Sequence, residues 1–305
     1  MPSTLSSSLL AGVSDEMADA VERAGSGVVT VEARRRLPAT GIIWDGSGLI
    51  VTANHVVERD EEIGIGLPDG RSAEAALVGR DPGSDVALLR IEATDLTPLA
   101  RTIAEPRVGQ IALALGRPGP SGVMASFGVI SNVAGPLRLH GGGSLDRYVR
   151  ADVAMLPGFS GGPLVDAGGN LIGLNSSTLG RAGGLTVLVE SIDQVAASLL
   201  EHGRVRRGYL GVGAQAVRLP EALANALGQD QDQGLMIVSV ESGGPADGAG
   251  LMLGDVILAI DGEAVAQVEQ LQERLTGERV GRAVPVRVVR GGELREISVT
   301  VGERR

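Results

Sequence analysis

Ser160 lies in the segment Gly158-Phe159-Ser160-Gly161-Gly162, which has glycine on both sides of the hydroxyl-bearing residue. Glycine lets the backbone adopt positive φ and lets another chain approach closely. A serine in such a segment can be held exposed, with backbone N–H groups beside it. These are the conditions that a serine nucleophile requires.

His55 and Asp85 precede this serine in the chain and could activate it. A serine hydroxyl is a weak nucleophile at neutral pH, and an imidazole is well suited to remove its proton. A carboxylate on the far ring nitrogen fixes the tautomer and stabilises the imidazolium that forms. The sequence therefore predicts a catalytic triad of His55, Asp85 and Ser160. The N–H groups of Gly158 and Ser160 would form the oxyanion hole, where each donor contributes about 10²–10³ in rate.

Each of these residues also has a structural explanation. A histidine at a strand end or an aspartate in a turn is commonly structural, and the pattern Gly-x-Ser-x-Gly is a weak motif alone. The same pattern occurs in the nucleophile elbow of α/β-hydrolases, but their order is Ser, then acid, then His. Here His202 is the one histidine after Ser160, and hairpins flank the motif, so we favour the His, Asp, Ser order of chymotrypsin-type enzymes.

Composition limits the classes of function. The 305 residues are enough for about two domains. The formal charge of -10 makes nucleic acid an unfavourable partner, because phosphate binding requires a basic surface. With no Cys, the chain has no thiolate catalysis and no cysteine-ligated zinc, and no two histidines have metal-ligand spacing. We expect no cofactor and no metal.

The sequence also bears on location. No apolar run reaches the roughly 18 residues that a transmembrane helix needs, so we expect no membrane span. Residues 1–13 have neither a basic start nor a long apolar stretch. The chain as given is expected to be cytoplasmic, or periplasmic or otherwise extracytoplasmic if a leader has been removed.

Short apolar segments separated by turns predict a mainly β protein. Turn signals recur about every 8–12 residues, and Asp-Gly turns at Asp45 and Asp69 predict hairpins. The predicted organisation is an N-terminal segment 1–24, loose over 1–13 with a short helix from Ser14, then a β domain over 25–203. A helix is predicted over 191–202 at the end of this β domain. A linker at 204–207 leads to a small α+β domain over 208–303, with a strand predicted over 209–212 and helices predicted at 221–227 and 265–275.

Three motifs in this order resemble the HtrA/Deg family of serine proteases. They are Thr-Ala-Asn-His-Val-Val around His55, the segment 81–91 around Asp85, and Ser-Gly-Gly-Pro-Leu from Ser160. The resemblance covers 24–301. It implies a trypsin-like double six-stranded β-barrel followed by a small α+β PDZ domain. It further implies ATP-independent cleavage of unfolded or misfolded polypeptides in protein quality control and stress response, and assembly into a homo-oligomer, typically a trimer.

Two positions near the nucleophile depart from the family pattern, since Phe159 and Leu156 replace residues that are usually Asn. Phe159 either packs beneath the loop as part of the core, which we favour, or holds the oxyanion loop in a collapsed state. The second possibility leaves open a different class of function, a catalytically inactive or resting-state chaperone or peptide-binding protein.

The specificity pocket is approached through Ala154, six residues before the nucleophile, where trypsin-like enzymes have the base of the pocket. No acid stands there to select Lys or Arg. With Thr186, Val187 and Leu188 as a wall, the pocket is predicted to accept small or medium aliphatic P1 residues.

The C-terminal domain has the features of a peptide-binding PDZ module. The segment Tyr209, Leu210, Gly211 and Val212 is similar to the carboxylate-binding loop, in which successive N–H groups bind a peptide's C-terminus. Val268 or Leu271 would face the peptide from the helix on the other side of the groove. The alternative is a small α+β domain that binds no peptide.

Overall fold

The chain folds into two compact units, Met1–Val205 and Arg206–Arg305. The computed structural model describes residues 4–35, 37–119, 121–138, 144–180, 184–221, 225, 231–275 and 277–303. In this part of the chain, no helix is both long enough and apolar enough to span a membrane.

The first unit begins with a helix, α1, at Thr4–Gly25. The prediction of a loose segment before a short helix from Ser14 was wrong for residues 4–13, because α1 already includes them. Ala20 and Ala24 are buried in the core and anchor the C-terminal turns, whereas Leu9 and Leu10 are each 71% exposed. Extension of an existing helix adds one hydrogen bond for each residue fixed. The helix can therefore continue from its anchored C-terminal turns into the exposed segment before Ser14.

Six strands of the first unit close into a barrel in the order β1-β2-β3-β6-β5-β4. Local turn chemistry accounts for the hairpin between its second and third strands, because the Asp45 carboxylate accepts hydrogen bonds from the N–H groups of Ser47 and Leu49. The strands are β1 Val28–Glu32, β2 Ala39–Ile43, β3 Leu49–Ala53, β4 Ile63–Gly66, β5 Ser72–Asp81 and β6 Val86–Ile91.

Six further strands close a second barrel in the order β11-β14-β13-β12-β7-β8. A short hairpin, β9 Leu137–Arg138 with β10 Ser144–Leu145, lies outside it. The barrel strands are β7 Ile111–Gly116, β8 Met124–Ala134, β11 Tyr148–Ala151, β12 Pro163–Asp166, β13 Leu171–Ser176 and β14 Leu185–Leu188. Two closed six-stranded barrels confirm the predicted fold class for this unit.

Helix α2, Val189–His202, ends the first unit and agrees with the helix predicted before the linker. Its buried face consists of Val189, Ile192, Ala196 and Leu199. Gly203 terminates it with a left-handed φ of 69°, and its N–H donates to the Leu199 carbonyl. Such a C-terminal glycine is a common helix stop.

The second unit is a small α+β domain with a sheet ordered β16-β17-β18-β20-β21, where β19 pairs with β18. A separate pair joins β15 to β22. Its elements are β15 Gly208–Tyr209, β16 Val212–Arg218, β17 Gln233–Val240, α3 Pro245–Gly248, β18 Val256–Ile260, β19 Glu263–Ala264, α4 Val268–Arg274, β20 Ala283–Arg290, β21 Glu293–Thr300 and β22 Gly302–Glu303.

Two predictions in this unit need correction. The strand predicted over 209–212 is interrupted at Leu210 and Gly211, because Gly211 has a φ of +77° that no regular strand accommodates. The helix predicted from 265 begins at Val268, where a reciprocal capping box between Gln267 and Gln270 starts it. Most of the helix predicted over 221–227 lies outside the described residues.

Candidate active site

The first barrel supplies His55 and Asp85 from neighbouring strand ends. His55 lies in a 3₁₀ turn, Asn54–Val56, directly after β3, and Asp85 directly precedes β6. Strands β3 and β6 pair with Ala53 opposite Val86, which places the two side chains at the same end of the barrel. The Asn54 N–H donates to the Asp85 carbonyl at 2.9 Å and joins the two segments again.

The His55 and Asp85 side chains form a close pair. Nδ1 of His55 lies 2.7 Å from Oδ2 of Asp85, and the His55 N–H donates to Oδ1 at 2.8 Å. Asp85 is 3% exposed and adopts a positive φ of 57°. Burial works against ionisation of Asp85, but hydrogen bonds from His55 and Ser176 and the charge of His55 together lower its pKa. The Asp85 side chain is therefore a carboxylate at neutral pH, as the orienting member of a triad must be.

Two hydroxyls that the sequence interpretation missed complete the surroundings of Asp85. Ser176 Oγ donates to Asp85 Oδ2 in a short hydrogen bond. Thr178 Oγ1 donates to the same oxygen at 3.1 Å and lies 3.2 Å from His55 Nδ1. The available signal was a run of three hydroxyl residues, 176–178, at the end of an apolar strand segment.

Ser160 enters from the second barrel, in the loop before β12, and pairs with the middle residue of that run. Its Oγ lies 2.8 Å from Ser177 Oγ and accepts a hydrogen bond from the Ser177 N–H at 3.3 Å. Among the described residues, no hydrogen bond joins Ser160 Oγ to His55. Catalytic hydrogen bonds of this kind often form fully only when a substrate is bound.

The loop around Ser160 presents two unpaired donors. Gly158 and Gly161 have φ of +87° and +85°, so this backbone path requires glycine. Within the described chain, the N–H groups of Gly158 and Ser160 donate to no acceptor. Both residues are buried, and Ser160 is 7% exposed. An oxyanion hole requires unpaired donors beside the nucleophile, and the role of these two N–H groups in one stays a prediction.

Phe159 points away from these donors into the second barrel. It is fully buried and packs among apolar residues of that barrel, including Ala114, Ile130 and Leu164. The fit depends on Gly116 at the end of β7, since a Cβ there would lie 2.3 Å from the Phe159 ring. This packing supports the core role of Phe159 over a collapsed oxyanion loop. Leu156 is 37% exposed and accepts the Phe159 N–H on its carbonyl.

The residues predicted for the specificity pocket are distributed over two segments. Ala154 is exposed, and its carbonyl accepts a hydrogen bond from Ser126 Oγ at 2.8 Å. Thr186, Val187 and Leu188 lie on β14 and are buried. Successive strand residues point to opposite faces, so Val187 lies across the strand from Thr186 and Leu188. The pocket role of these four residues stays a prediction.

Beside Thr186 lies a buried polar group that the sequence interpretation did not identify. Thr186 Oγ1 donates to Asn175 Oδ1 at 2.8 Å, while the buried Nδ2 of Asn175 has no partner among the described residues. Its position opposite Thr186 in the sheet places this carboxamide next to the strand from which the pocket wall was predicted.

In the second unit, the loop predicted to bind a carboxylate also has unpaired N–H groups. Those of Leu210 and Gly211 donate to no acceptor in the described part of the chain, while the Gly211 carbonyl accepts the Glu241 N–H at 2.8 Å. Tyr209 pairs with Gly302, and Val212 begins strand β16.

Helix α4 packs beside strand β16 and borders the predicted groove. Val268 is partly buried against the core of this unit, whereas Leu271 is 4% exposed and belongs to the core itself. Of the two residues predicted to face a peptide, Val268 is therefore the more accessible.

The remaining histidines lie apart from this chemistry. His202 is exposed at the end of α2, and His140 lies outside the described residues. No group of three or more acidic or histidine side chains in the described ranges could hold a metal ion.

Comparison with known families agrees with this architecture. Residues 39–174 match the model of the trypsin-like peptidase domain, and residues 208–301 match that of the PDZ domain.

Individual serine endoproteases of two bacteria match most of the chain. The serine endoprotease DegS of Escherichia coli is 31% identical over 305 residues, covering 93% of this chain and 85% of that protein. A probable periplasmic serine endoprotease, DegP-like, of Halomonas elongata is 38% identical over 278 residues. That match covers 88% of this chain, which spans 57% of the length of the Halomonas protein.

Solved structures extend the comparison to the fold. The HtrA-type protease AlgW with a decapeptide has a TM-score of 0.79 at 30% identity, covering 95% of this chain and 99% of that one. The serine endoprotease from Yersinia pestis has a TM-score of 0.80 at 29% identity, with coverage of 95% and 98%. The chain therefore belongs to the HtrA/Deg family of serine proteases, with a trypsin-like double β-barrel followed by a PDZ domain.

Proposed function

We propose that this chain is a serine endopeptidase that cleaves unfolded or misfolded polypeptides through an acyl-enzyme. In this proposal Ser160 is the nucleophile, His55 the general base and Asp85 the residue that orients His55. The N–H groups of Gly158 and Ser160 form the oxyanion hole. The observation that supports it most directly is the 2.7 Å contact of His55 Nδ1 with a buried, ionised Asp85, which leaves Nε2 of the same ring free to act as the base.

The reaction follows the chemistry of a serine nucleophile and an imidazole base. Ser160 Oγ turns from Ser177 toward His55, transfers its proton to Nε2 and attacks the scissile carbonyl carbon. The carbonyl oxygen becomes an oxyanion between the two N–H groups. His55 then gives its proton to the leaving amine as the C–N bond breaks. Water repeats the sequence on the acyl-enzyme, releases the new carboxylate and restores the Ser160 hydroxyl.

The second unit is proposed to bind apolar C-terminal or extended peptides. The N–H groups of Leu210 and Gly211, which have no acceptor in the described part of the chain, suit a peptide carboxylate. Strand β16 lies at the end of its sheet beside α4, which suits an added strand. The solved structures of the HtrA-type protease AlgW contain a decapeptide or a tripeptide, in agreement with a peptide ligand.

Location and assembly are proposed from the relatives and from one surface feature. The DegP-like relatives are named periplasmic, which favours the extracytoplasmic alternative over the cytoplasmic one. A homo-oligomer, and a trimer by resemblance, would cover apolar side chains of α1 such as Leu9 and Leu10. Sedimentation equilibrium of the full chain measures the oligomeric state directly.

Active-site labelling tests the proposed activity against an inactive chaperone. A fluorophosphonate probe is expected to label the full-length protein at Ser160 and not to label Ser160→Ala. Unfolded casein should be cut by the wild-type chain alone, and mass spectrometry of the products should show small or medium aliphatic residues at P1. No labelling under any substrate or peptide condition would contradict the enzymatic function, whereas Arg or Lys at P1 would contradict only the pocket.

A further inference from the structure

Two buried threonines connect the strand before His55 to the loop that contains Ser160. Thr40 lies on β2 and Thr52 on β3, and both are 0% exposed. Thr52 Oγ1 donates to the Thr40 carbonyl at 2.7 Å. Thr52 is three residues before His55, so this contact begins on the strand that ends at the proposed base. We call Thr40 and Thr52 the threonine bridge.

Thr40 continues the bridge to the nucleophile loop by two hydrogen bonds. Its Oγ1 donates to the Gly158 carbonyl at 2.7 Å. Its N–H donates to the Ser160 carbonyl at 3.3 Å. Within the loop over 156–162, Gly158 and Ser160 are the residues whose N–H groups have no acceptor in the described part of the chain. Thr40 thus donates a hydrogen bond to the carbonyl of Gly158 and another to the carbonyl of Ser160. The N–H groups of these two residues remain available to an oxyanion.

The hydroxyl of Thr40 is also an acceptor, which fixes the direction in which it donates. Oγ1 accepts the Arg117 N–H at 2.8 Å, at the residue directly after β7 of the second barrel. With that hydrogen bond in place, its proton is directed at the Gly158 carbonyl. One side chain of the first barrel therefore contacts two segments of the second barrel.

The loop is shaped to receive this contact. A Cβ on Gly161 would lie 2.2 Å from the Thr40 carbonyl oxygen and 2.3 Å from Thr52 Oγ1. Glycine at this position therefore serves a second purpose besides its positive φ. It lets the loop approach the threonine bridge closely enough for the hydrogen bonds to Gly158 and Ser160.

We propose that Thr40 is a positioning residue for the oxyanion hole, because it holds the carbonyls of Gly158 and Ser160 in place across the interface of the two barrels. This inference depends on the proposed protease activity for its kinetic consequences. Its structural part, the ordering of the loop over 156–162 by the Thr40 hydroxyl, does not.

Thr40→Val tests the proposal, because valine keeps the branched shape and removes the hydroxyl. Misplacing oxyanion donors costs up to about 10²–10³ in kcat for each donor lost. We expect kcat on fluorescent casein to fall by about ten- to a hundred-fold with KM within about twofold of the wild-type value. Thr40→Ser, which restores a hydroxyl, should recover most of kcat.

Thr30→Val is the matched control. Thr30 lies on strand β1, and its Oγ1 donates to the Arg117 carbonyl of the second barrel at 2.8 Å. Arg117 is also the residue whose N–H donates to Thr40. This change also removes a threonine hydroxyl that bonds the main chain across the barrels, but Thr30 has no hydrogen bond to the nucleophile loop. It should leave kcat and fluorophosphonate labelling at the wild-type level.

Hydrogen–deuterium exchange provides the readout that does not require activity. Peptides covering 156–162 should exchange faster in Thr40→Val than in wild type, and at the wild-type rate in Thr30→Val. Unchanged exchange, or a loss of kcat that Thr40→Ser does not recover, would overturn the inference. If the exchange changes as expected while the wild-type chain is never labelled, the ordering role holds and the proposed protease function is wrong.

Discussion

At the scale of single residues, three consecutive hydroxyls surround the triad. Ser176 and Thr178 bond the Asp85 carboxylate, whereas Ser177 between them bonds Ser160. The first two contacts stabilise the charged form of Asp85, which the chemistry needs. The third engages the nucleophile itself, and in the proposed mechanism Ser160 Oγ turns away from Ser177 before it donates its proton to His55.

Removing the Ser177 hydroxyl should therefore make Ser160 more reactive. A typical hydrogen bond contributes about 1 kcal/mol, which corresponds to roughly fivefold in rate if it is lost before attack. We expect Ser177→Ala to increase the fluorophosphonate labelling rate by up to about fivefold. The labelling rate is measured by quenching the reaction at set times and reading the gel fluorescence of the labelled protein.

Ser198→Ala controls for the loss of a serine hydroxyl, because Ser198 Oγ bonds the Arg204 carbonyl on the exposed end of α2. It should label at the wild-type rate. Slower labelling of Ser177→Ala would mean that the Ser177 hydroxyl supports attack, contrary to this expectation.

At the scale of elements, the nucleophile loop is anchored by packing as well as by hydrogen bonds. Phe159 inserts into the second barrel beside the end of β7, where Gly116 leaves space for its ring. Phe159, directly before the nucleophile, is therefore an apolar anchor at a position where the family usually has Asn. The N–H groups of Gly158 and Ser160, on either side of this anchor, have no acceptor among the described residues.

Gly116→Ala should disturb this anchor, because its Cβ would lie 2.3 Å from the Phe159 ring. Overpacking of a core usually costs about 1–3 kcal/mol of unfolding free energy. We expect a lower melting temperature by circular dichroism and a slower fluorophosphonate reaction, because the ring cannot move without the Ser160 loop.

Gly119→Ala, three residues further on, is the matched control. A Cβ there would have no neighbour within 4 Å, so both measurements should match the wild type. A normal labelling rate in Gly116→Ala would show that Phe159 does not anchor the loop.

At the scale of the whole molecule, each unit contains a buried carboxylate that is paired with a basic side chain. Asp85 pairs with His55 in the first unit, and Asp255 pairs with Arg290 in the second. Arg290 binds Asp255 by two hydrogen bonds, of 2.7 and 2.6 Å. Burial opposes ionisation of Asp255, but the hydrogen bonds from Arg290 and from the Met252 N–H, with the charges of Arg290 and Arg295, lower its pKa.

Both units should therefore lose stability in acid. A carboxyl whose pKa is lower in the folded state binds more protons when unfolded, so its contribution to stability rises with pH. That contribution is complete above the ordinary Asp value of 3.8 and is lost as pH falls through the lower folded value. Thermal unfolding followed between pH 2 and 7 measures this.

The Asp255→Asn variant distinguishes the acid response of the second unit from that of the first. Leaving one member of a buried ion pair unpartnered costs about 3 kcal/mol. The variant should melt earlier at pH 7, and the stability of its second unit should depend less steeply on pH below 4. Asp232→Asn removes an exposed pair with Arg218 and should change neither property. An Asp255→Asn variant with the wild-type acid response would contradict this account.

Local chemistry is why much of the fold could be predicted from the amino-acid order. The Asp-Gly turns and short apolar segments predicted the hairpins of the first barrel, since these signals act between residues two to four apart. The order His55, Asp85, Ser160 excluded the α/β-hydrolase arrangement, because chain order belongs to the sequence alone. The glycines beside Ser160 predicted a backbone with positive φ, which helices and strands do not contain.

Tertiary structure decided which side chains meet across the fold. Ser176 contacts a carboxylate 91 positions away, and Thr40 contacts a carbonyl 118 positions away, so no local pattern specifies either pair. The inward orientation of Phe159 likewise depends on space that Gly116 leaves on another strand. The sequence alone determined which groups could perform the chemistry. Closure of the two barrels decided their hydrogen-bond partners, because only closure brings such distant segments within a few ångströms.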